Sequence, residues 1–256
     1  MFKLIQDVIV HFAMNCAPNS PPADPTKSAL TPINIGSTDI FFYDNPSTDR
    51  LVLVFPGILG LDSGRTKENC VKLSKLYKVA LVDIAGDYLE DLSKLLEWIP
   101  AHPFENFLPK VNEVVDHFKS VHGVSKFGAM GYNFGSWVVA KYSATPENVL
   151  AAGISFHPLW ALEQFFQGEG SGPKIAEHIT VPQLILTAGN DPEWLKPGQT
   201  VDTILSSRGI PAKLREFPTM FHGWVDRGDL NDPAVAEAFH AAWDDESLPF
   251  LHKFLG

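Results

Sequence analysis

A chain of 256 residues, 45% hydrophobic and 20% charged with 18 Phe and 6 Trp, has apolar mass for one sizeable core and fits one α/β domain. Its formal net charge of −10 argues against a nucleic-acid or acidic-membrane partner, because phosphate backbones select basic surfaces. Two cysteines, Cys16 and Cys70, lie far apart in sequence, which argues against a disulfide framework and for a reducing compartment, taken here as the cytoplasm.

Residues 1–32 read as an N-terminal extension, partly coil. Met1 to Ala17 is apolar with Lys3 near its start and imitates a signal peptide, but Gln6, Asp7 and His11 interrupt its apolar core. Pro18, Pro21, Pro22, Pro25 and Pro32 impose extended coil on residues 18–32. No stretch approaches the roughly 18 consecutive apolar residues that would span a bilayer.

A single domain is expected over residues 33–256. Ile33 to Tyr43 reads as a first strand and Leu51 to Phe55 as a short buried one, with Pro56-Gly57-Ile58-Leu59-Gly60 turning out of it. Arg65 to Tyr77 has helical spacing, and Val79 to Ile84 is the next strand. The segment Asp87 to Pro103 is expected to contain a helix over the site. Phe107 to His122 carries apolar residues at 107, 108, 111, 114, 115 and 118, the period of a helix. Further strands are expected at Phe127–Met130, Ala151–Phe156, Gln183–Thr187 and Lys213–Phe217, with helices near Thr200–Arg208 and from Pro233 to about Phe254. Buried apolar runs of this length, alternating with helices, predict an α/β fold with a mainly parallel sheet covered on both faces.

Function concentrates at Gly131-Tyr132-Asn133-Phe134-Gly135. A strand, a Gly-x-Nuc-x-Gly turn and a helix form the nucleophile elbow of an α/β-hydrolase, in which the central residue is forced to positive φ and points into the site. Here that residue is Asn133. Asp191, after Ala188-Gly189-Asn190, and His222, in Phe221-His222-Gly223-Trp224, follow it in the order nucleophile, acid, histidine. Such a set works because a neutral imidazole takes the nucleophile's proton while a carboxylate fixes its tautomer.

With Gly57-Ile58-Leu59-Gly60-Leu61, Ser155-Phe156-His157-Pro158 and Arg227, these segments resemble the dienelactone hydrolase family, α/β-hydrolases acting on small esters and lactones. The resemblance runs from about Ile33 to the C-terminus. It implies Asp191 as the triad acid, His222 as the base, and the backbone N–H groups of Ile58 and Phe134 as the oxyanion hole. It places Gly57, Tyr132 and Arg227 at the substrate, Arg227 as the holder of a substrate carboxylate. It implies a small-molecule substrate, with a monomer or homodimer expected; no cluster has metal-ligand spacing and no phosphate or dinucleotide loop is present, so no metal or cofactor is expected, and the charge argues against a nucleic-acid or membrane partner.

Two positions depart from the family pattern. The elbow carries Asn133 where Cys is usual, and Gly57 stands where an acidic residue often sits. An amide nitrogen is a very poor nucleophile, so a Ser-type acyl-enzyme is closed to the sequence as written. The paired loss favours natural divergence over a single engineered replacement. Asn tolerates positive φ better than almost any other side chain except Gly, so Asn133 either keeps the turn alone or hydrogen-bonds a substrate or water under His222. Three functions stay open: hydrolysis of a small ester, lactone or related carbonyl compound by a non-standard route; an isomerisation, cyclisation or elimination with His222 as proton carrier; and a binding pocket without turnover. His157 and Cys70 are expected to be structural. Arg227 is otherwise a surface ion-pair partner, and Ser136 lies too far along the helix to replace the nucleophile.

Overall fold

A computed structural model describes residues 31–90 and 92–256, so the expectations for residues 1–30, the extension and Cys16 among them, lie outside the described residues. The strands are β1 (Ile33–Ile35), β2 (Thr38–Tyr43), β3 (Arg50–Phe55), β4 (Lys78–Val82), β5 (Lys126–Tyr132), β6 (Leu150–Phe156), β7 (Gln183–Ala188) and β8 (Ala212–Phe217). They form one eight-stranded sheet in the order β1-β2-β4-β3-β5-β6-β7-β8. β1 and β2 pair antiparallel, as do β2 and β4, and every other neighbour pair is parallel.

The helices are α1 (Thr66–Leu73), α2 (Leu95–Ala101), α3 (Leu108–His122), α4 (Phe134–Ser143), α5 (Glu163–Gln167), α6 (Ser171–Lys174), α7 (Thr200–Ser207), α8 (Trp224–Arg227), α9 (Pro233–His240) and α10 (Leu248–Leu255). Alternation along the strands sorts the core into two layers. Leu51, Leu53 and Phe55 of β3 pack with residues of α2, α3, α4 and α7, while Val52 and Val54 pack on the other face with residues of α1, α9 and α10. The mainly parallel, doubly covered sheet expected from the sequence is therefore present. In α3 the helical period buries Val111, Val114, Val115 and Phe118, and Gly123 at φ 62° ends the helix in the left-handed conformation.

Three local differences have physical causes. The expected first strand is a hairpin, because Gly36 adopts φ 56° and turns β1 back along β2, pairing Ile35 with Thr38. The last helix is not uniform. A π-helical stretch, Ala241–Ser247, interrupts it between α9 and α10, and the Ser247 hydroxyl donates to the Ala242 carbonyl at 2.7 Å. The short helices α5, α6 and α8 have too few residues to show a hydrophobic period, and none was expected.

Chain direction positions the site. After β3 the chain moves outward to β4, then crosses back to β5 on the opposite side of β3. This reversal opens a crevice beyond the carboxyl ends of β3 and β5, where open parallel sheets hold their ligands. Phe55 pairs with Gly131 in register, so the turn after β3 and the elbow after β5 emerge side by side. The close approach depends on two glycines. A Cβ on Gly131 would lie 2.2 Å from the Gly135 carbonyl carbon, and one on Gly135 would lie 2.1 Å from the Phe55 carbonyl oxygen.

Gly135→Ala is therefore expected to destabilise the fold by at least about 2 kcal/mol, since backbone rather than a movable side chain must yield. A urea-unfolding midpoint equal to the parent's would contradict this packing.

Candidate active site

Asn133 joins β5 to α4 with φ 49° and ψ −110°, a strained conformation for a residue with a Cβ. It is held there because its N–H donates to the Phe156 carbonyl at 3.1 Å and its carbonyl accepts from the N–H groups of Ser136 and Leu159 at 3.1 and 3.2 Å. The Ser136 hydroxyl donates to that same carbonyl and accepts from Leu159 N–H, so it braces the elbow instead of occupying the nucleophile position.

The structure brings Asn133, His222 and Asp191 into one chain of hydrogen bonds. Asn133 Nδ2–H donates to His222 Nε2 at 2.6 Å, and His222 Nδ1–H donates to Asp191 Oδ1 at 2.5 Å. Asp191 Oδ2 accepts from Ala188 N–H at 2.6 Å, at the end of β7, while Asn190 Oδ1 accepts from His222 N–H at 2.8 Å. The loops after β7 and β8 thus lock to each other as well as to the ring. Asn133 Oδ1 accepts from Ile58 N–H at 3.2 Å. This fixes which end of the amide is oxygen, because a reversed amide would set two donors against each other at Ile58. Phe134 opens α4, and its N–H belongs to the first turn, where no earlier helical carbonyl reaches it.

A second buried pair lies behind the first. His157, at φ 36° and buried, sets its ring 5.1 Å from that of His222, and its Nε2 lies 3.1 Å from Asp226 Oδ1. Burial pushes the His157 imidazole below the usual histidine range, against the opposing pull of Asp226. Burial acts to raise the Asp226 carboxyl, but the His157 ring and Arg227 outweigh it and hold it below the ordinary carboxylate range. A Cβ on Gly57 would stand 3.8 Å from Asp226 Oδ2 and 3.5 Å from Asn133 Cβ. A carboxylate carried by α8 therefore lies beside position 57.

Arg227 is buried, with Nε 4.0 Å from Asp226 Oδ2, and is not a surface ion-pair residue. It lines a cavity of about 10 Å³ with Gly57, Ile58, Leu59, Ser63, Asn133 and Asp226. Tyr132 is absent from that lining. Its ring stacks on Phe156 in the core, and its hydroxyl accepts from Asn69 Nδ2 at 3.1 Å. Cys70 is buried core, and burial raises its thiol pKa.

Sequence reasoning missed Asp226 and Arg65. The buried Arg65 guanidinium donates to the carbonyls of Trp224, Val225 and Gly228, and the Arg65 backbone N–H donates to the Asp226 carbonyl at 2.7 Å. It thus pins the segment that carries Asp226 and Arg227. The only sequence signal was an acidic residue beside Arg227, and nothing local to Arg65 pointed 160 residues ahead to Val225. Among the described residues, no cluster of His, Cys, Asp and Glu has metal-binding form and no helix is long and apolar enough to cross a membrane.

The model of the dienelactone hydrolase family matches residues 42–255, and the chain belongs to that family. No curated protein sequence matches it. Solved structures share the α/β-hydrolase fold at low identity. Est1E from Butyrivibrio proteoclasticus, with ferulic acid bound, is 14% identical with a TM-score of 0.58, covering 88% of this chain and 98% of that one. The dienelactone hydrolase-like promiscuous phosphotriesterase P91 from metagenomic libraries is 18% identical with a TM-score of 0.56, over 81% and 87%. The Pyrococcus furiosus esterase Pf2001 is 13% identical with a TM-score of 0.61, over 94% and 100%.

Two outcomes follow from the geometry. Asn133→Gly and Asn133→Ala both remove the amide, but only Ala keeps the strained φ with a Cβ. The Gly variant should therefore be more stable by about 1 kcal/mol, and equal unfolding midpoints would contradict the strain. The second concerns pH. Folded His157 has a depressed pKa, so as pH falls below about 6.5 the unfolded chain binds a proton the folded chain refuses, and stability falls. His157→Asn, which tolerates positive φ, should flatten stability between about pH 6.5 and 5 relative to the parent. An unchanged slope would place the titrating group elsewhere.

Proposed function

We propose that this member of the dienelactone hydrolase family acts on a small ester, lactone or related carbonyl compound, with His222 and Asp191 as its acid/base pair. The observation that carries the reading is the continuous hydrogen-bond chain Asn133–His222–Asp191 at 2.6 and 2.5 Å. Asp191 fixes the ring with the proton on Nδ1 and leaves Nε2 as acceptor, the state that a general base needs.

Hydrolysis then uses water in place of a side-chain nucleophile. Asn133 holds the water beside His222 Nε2, which takes its proton as the oxygen adds to the substrate carbonyl and returns it to the leaving group. The oxyanion is received by the N–H groups of Ile58 and Phe134, donors worth a few kcal/mol each in such sites. The Ile58 N–H is held by Asn133 Oδ1 at rest, so the amide must turn aside before a substrate carbonyl can take its place. In this reading Arg227, on the cavity wall, receives a substrate carboxylate.

The same resting contacts favour a second reading. An amide that occupies both the oxyanion donor and the base, over a cavity of about 10 Å³, suits a pocket that does not turn over in this form.

Hydrolysis of p-nitrophenyl acetate separates the two. The hydrolase reading expects a rate above background that His222→Ala lowers by about 10²–10⁴-fold. A parent rate equal to that of His222→Ala would favour the second reading. Asn133→Cys should raise hydrolysis in either case, because the base, acid and backbone donors are already placed. A folded Cys variant with no gain would contradict the donor and base assignments.

A further inference from the structure

We infer that Asn133 is a substrate of its own site: the geometry points to hydrolysis of its side-chain amide by water, leaving aspartate on the elbow and releasing ammonia. The inference goes beyond the ester reading and does not require it. Hydrolysing an amide takes a donor on the carbonyl oxygen, an acid at the departing nitrogen, and a water beside the carbonyl carbon with a base to accept its proton. Around Asn133 the structure holds the donor, the histidine at the nitrogen and a cavity for the water. The carbonyl oxygen Oδ1 sits on the oxyanion donor Ile58 N–H at 3.2 Å, and the nitrogen Nδ2 sits 2.6 Å from His222 Nε2. Asn133 also forms part of the wall of the cavity of about 10 Å³, the scale of a single water. The Asp226 carboxylate lines the same cavity.

The step balances. Water adds through oxygen to Cγ, and its proton passes to Asp226, leaving a tetrahedral oxyanion at Oδ1 held by Ile58 N–H. The Cγ–Nδ2 bond then breaks as His222, which has taken a solvent proton at Nε2 in place of the resting Nδ2–H bond, delivers that proton to Nδ2, and ammonia departs. The new carboxylic acid returns a proton to His222, and Asp226 gives its proton to ammonia. The sum is one amide and one water converted to one carboxylate and one ammonium ion, with His222 and Asp226 restored. The product carries a carboxylate oxygen beside His222, a nucleophile that the encoded amide cannot be.

A competing route needs no active site. Attack on Cγ by the Phe134 backbone nitrogen gives a cyclic imide, which opens to a mixture of aspartate and isoaspartate. The test is to incubate the purified full-length chain, folded and urea-unfolded, in water enriched in heavy oxygen, and to map the peptide containing residue 133 by mass spectrometry. The expected result is conversion at residue 133 to aspartate alone, with one heavy oxygen in its side chain. It should run at least about tenfold faster in the folded chain, a barrier lower by about 1.4 kcal/mol. His222→Gln and Asp226→Asn should each slow it by a similar factor. Retention of the amide, a mixture with isoaspartate, or equal rates in folded and unfolded chains would each overturn the inference. A chain that keeps its amide and still hydrolyses p-nitrophenyl acetate would sink this inference and leave the ester reading intact.

Discussion

One side chain ties the halves of this crevice together. Asn133 takes a hydrogen bond from the turn after β3 through Oδ1 and gives one to the loop after β8 through Nδ2. It can do so only because the strained elbow aims it between them, and the elbow exists only because Gly131 and Gly135 let β5, α4 and β3 approach within backbone contact. Sheet register, loop placement and the histidine's tautomer all meet at this amide.

The rest of the site is built to keep those loops still. Asp191 grips both the imidazole and the end of β7, Asn190 holds the His222 backbone, and Arg65 clamps the segment bearing Asp226 and Arg227. Gly57 leaves space that a side chain would fill, and the Asp226 carboxylate faces it. A negative group thus lies beside the elbow as it would if position 57 were acidic, but it arrives from α8 and carries His157 and Arg227 with it.

Much of the fold was legible because buried parallel strands are apolar runs, and the runs at Leu51–Phe55, Phe127–Met130 and Ala151–Phe156 fall within strands. The elbow was legible because its glycines answer a steric demand that no other residue meets. The hairpin at Gly36 and the π-helical stretch after His240 were not, since one glycine or one extra residue per turn leaves hydrophobic spacing almost unchanged. Asp191 and His222 could be picked out by chain order. Asp226 could not, because its role depends on Gly57, far back in the chain, and on the Arg65 clamp. Tyr132 lies inside the elbow motif, yet strand alternation carries its ring to the opposite layer of the core from Phe134.

The claim that the elbow amide occupies the Ile58 N–H, the proposed oxyanion donor, is tested most directly by hydrogen exchange at the Ile58 amide, parent against Asn133→Ala. With Asn133 Oδ1 as acceptor, its loss should speed exchange at Ile58 by roughly tenfold, the equivalent of a hydrogen bond worth about 1.4 kcal/mol. Protection along β3, at Leu53 and Val54, should change far less. Exchange at Ile58 that is the same in both chains, or that rises only together with β3, would contradict the account.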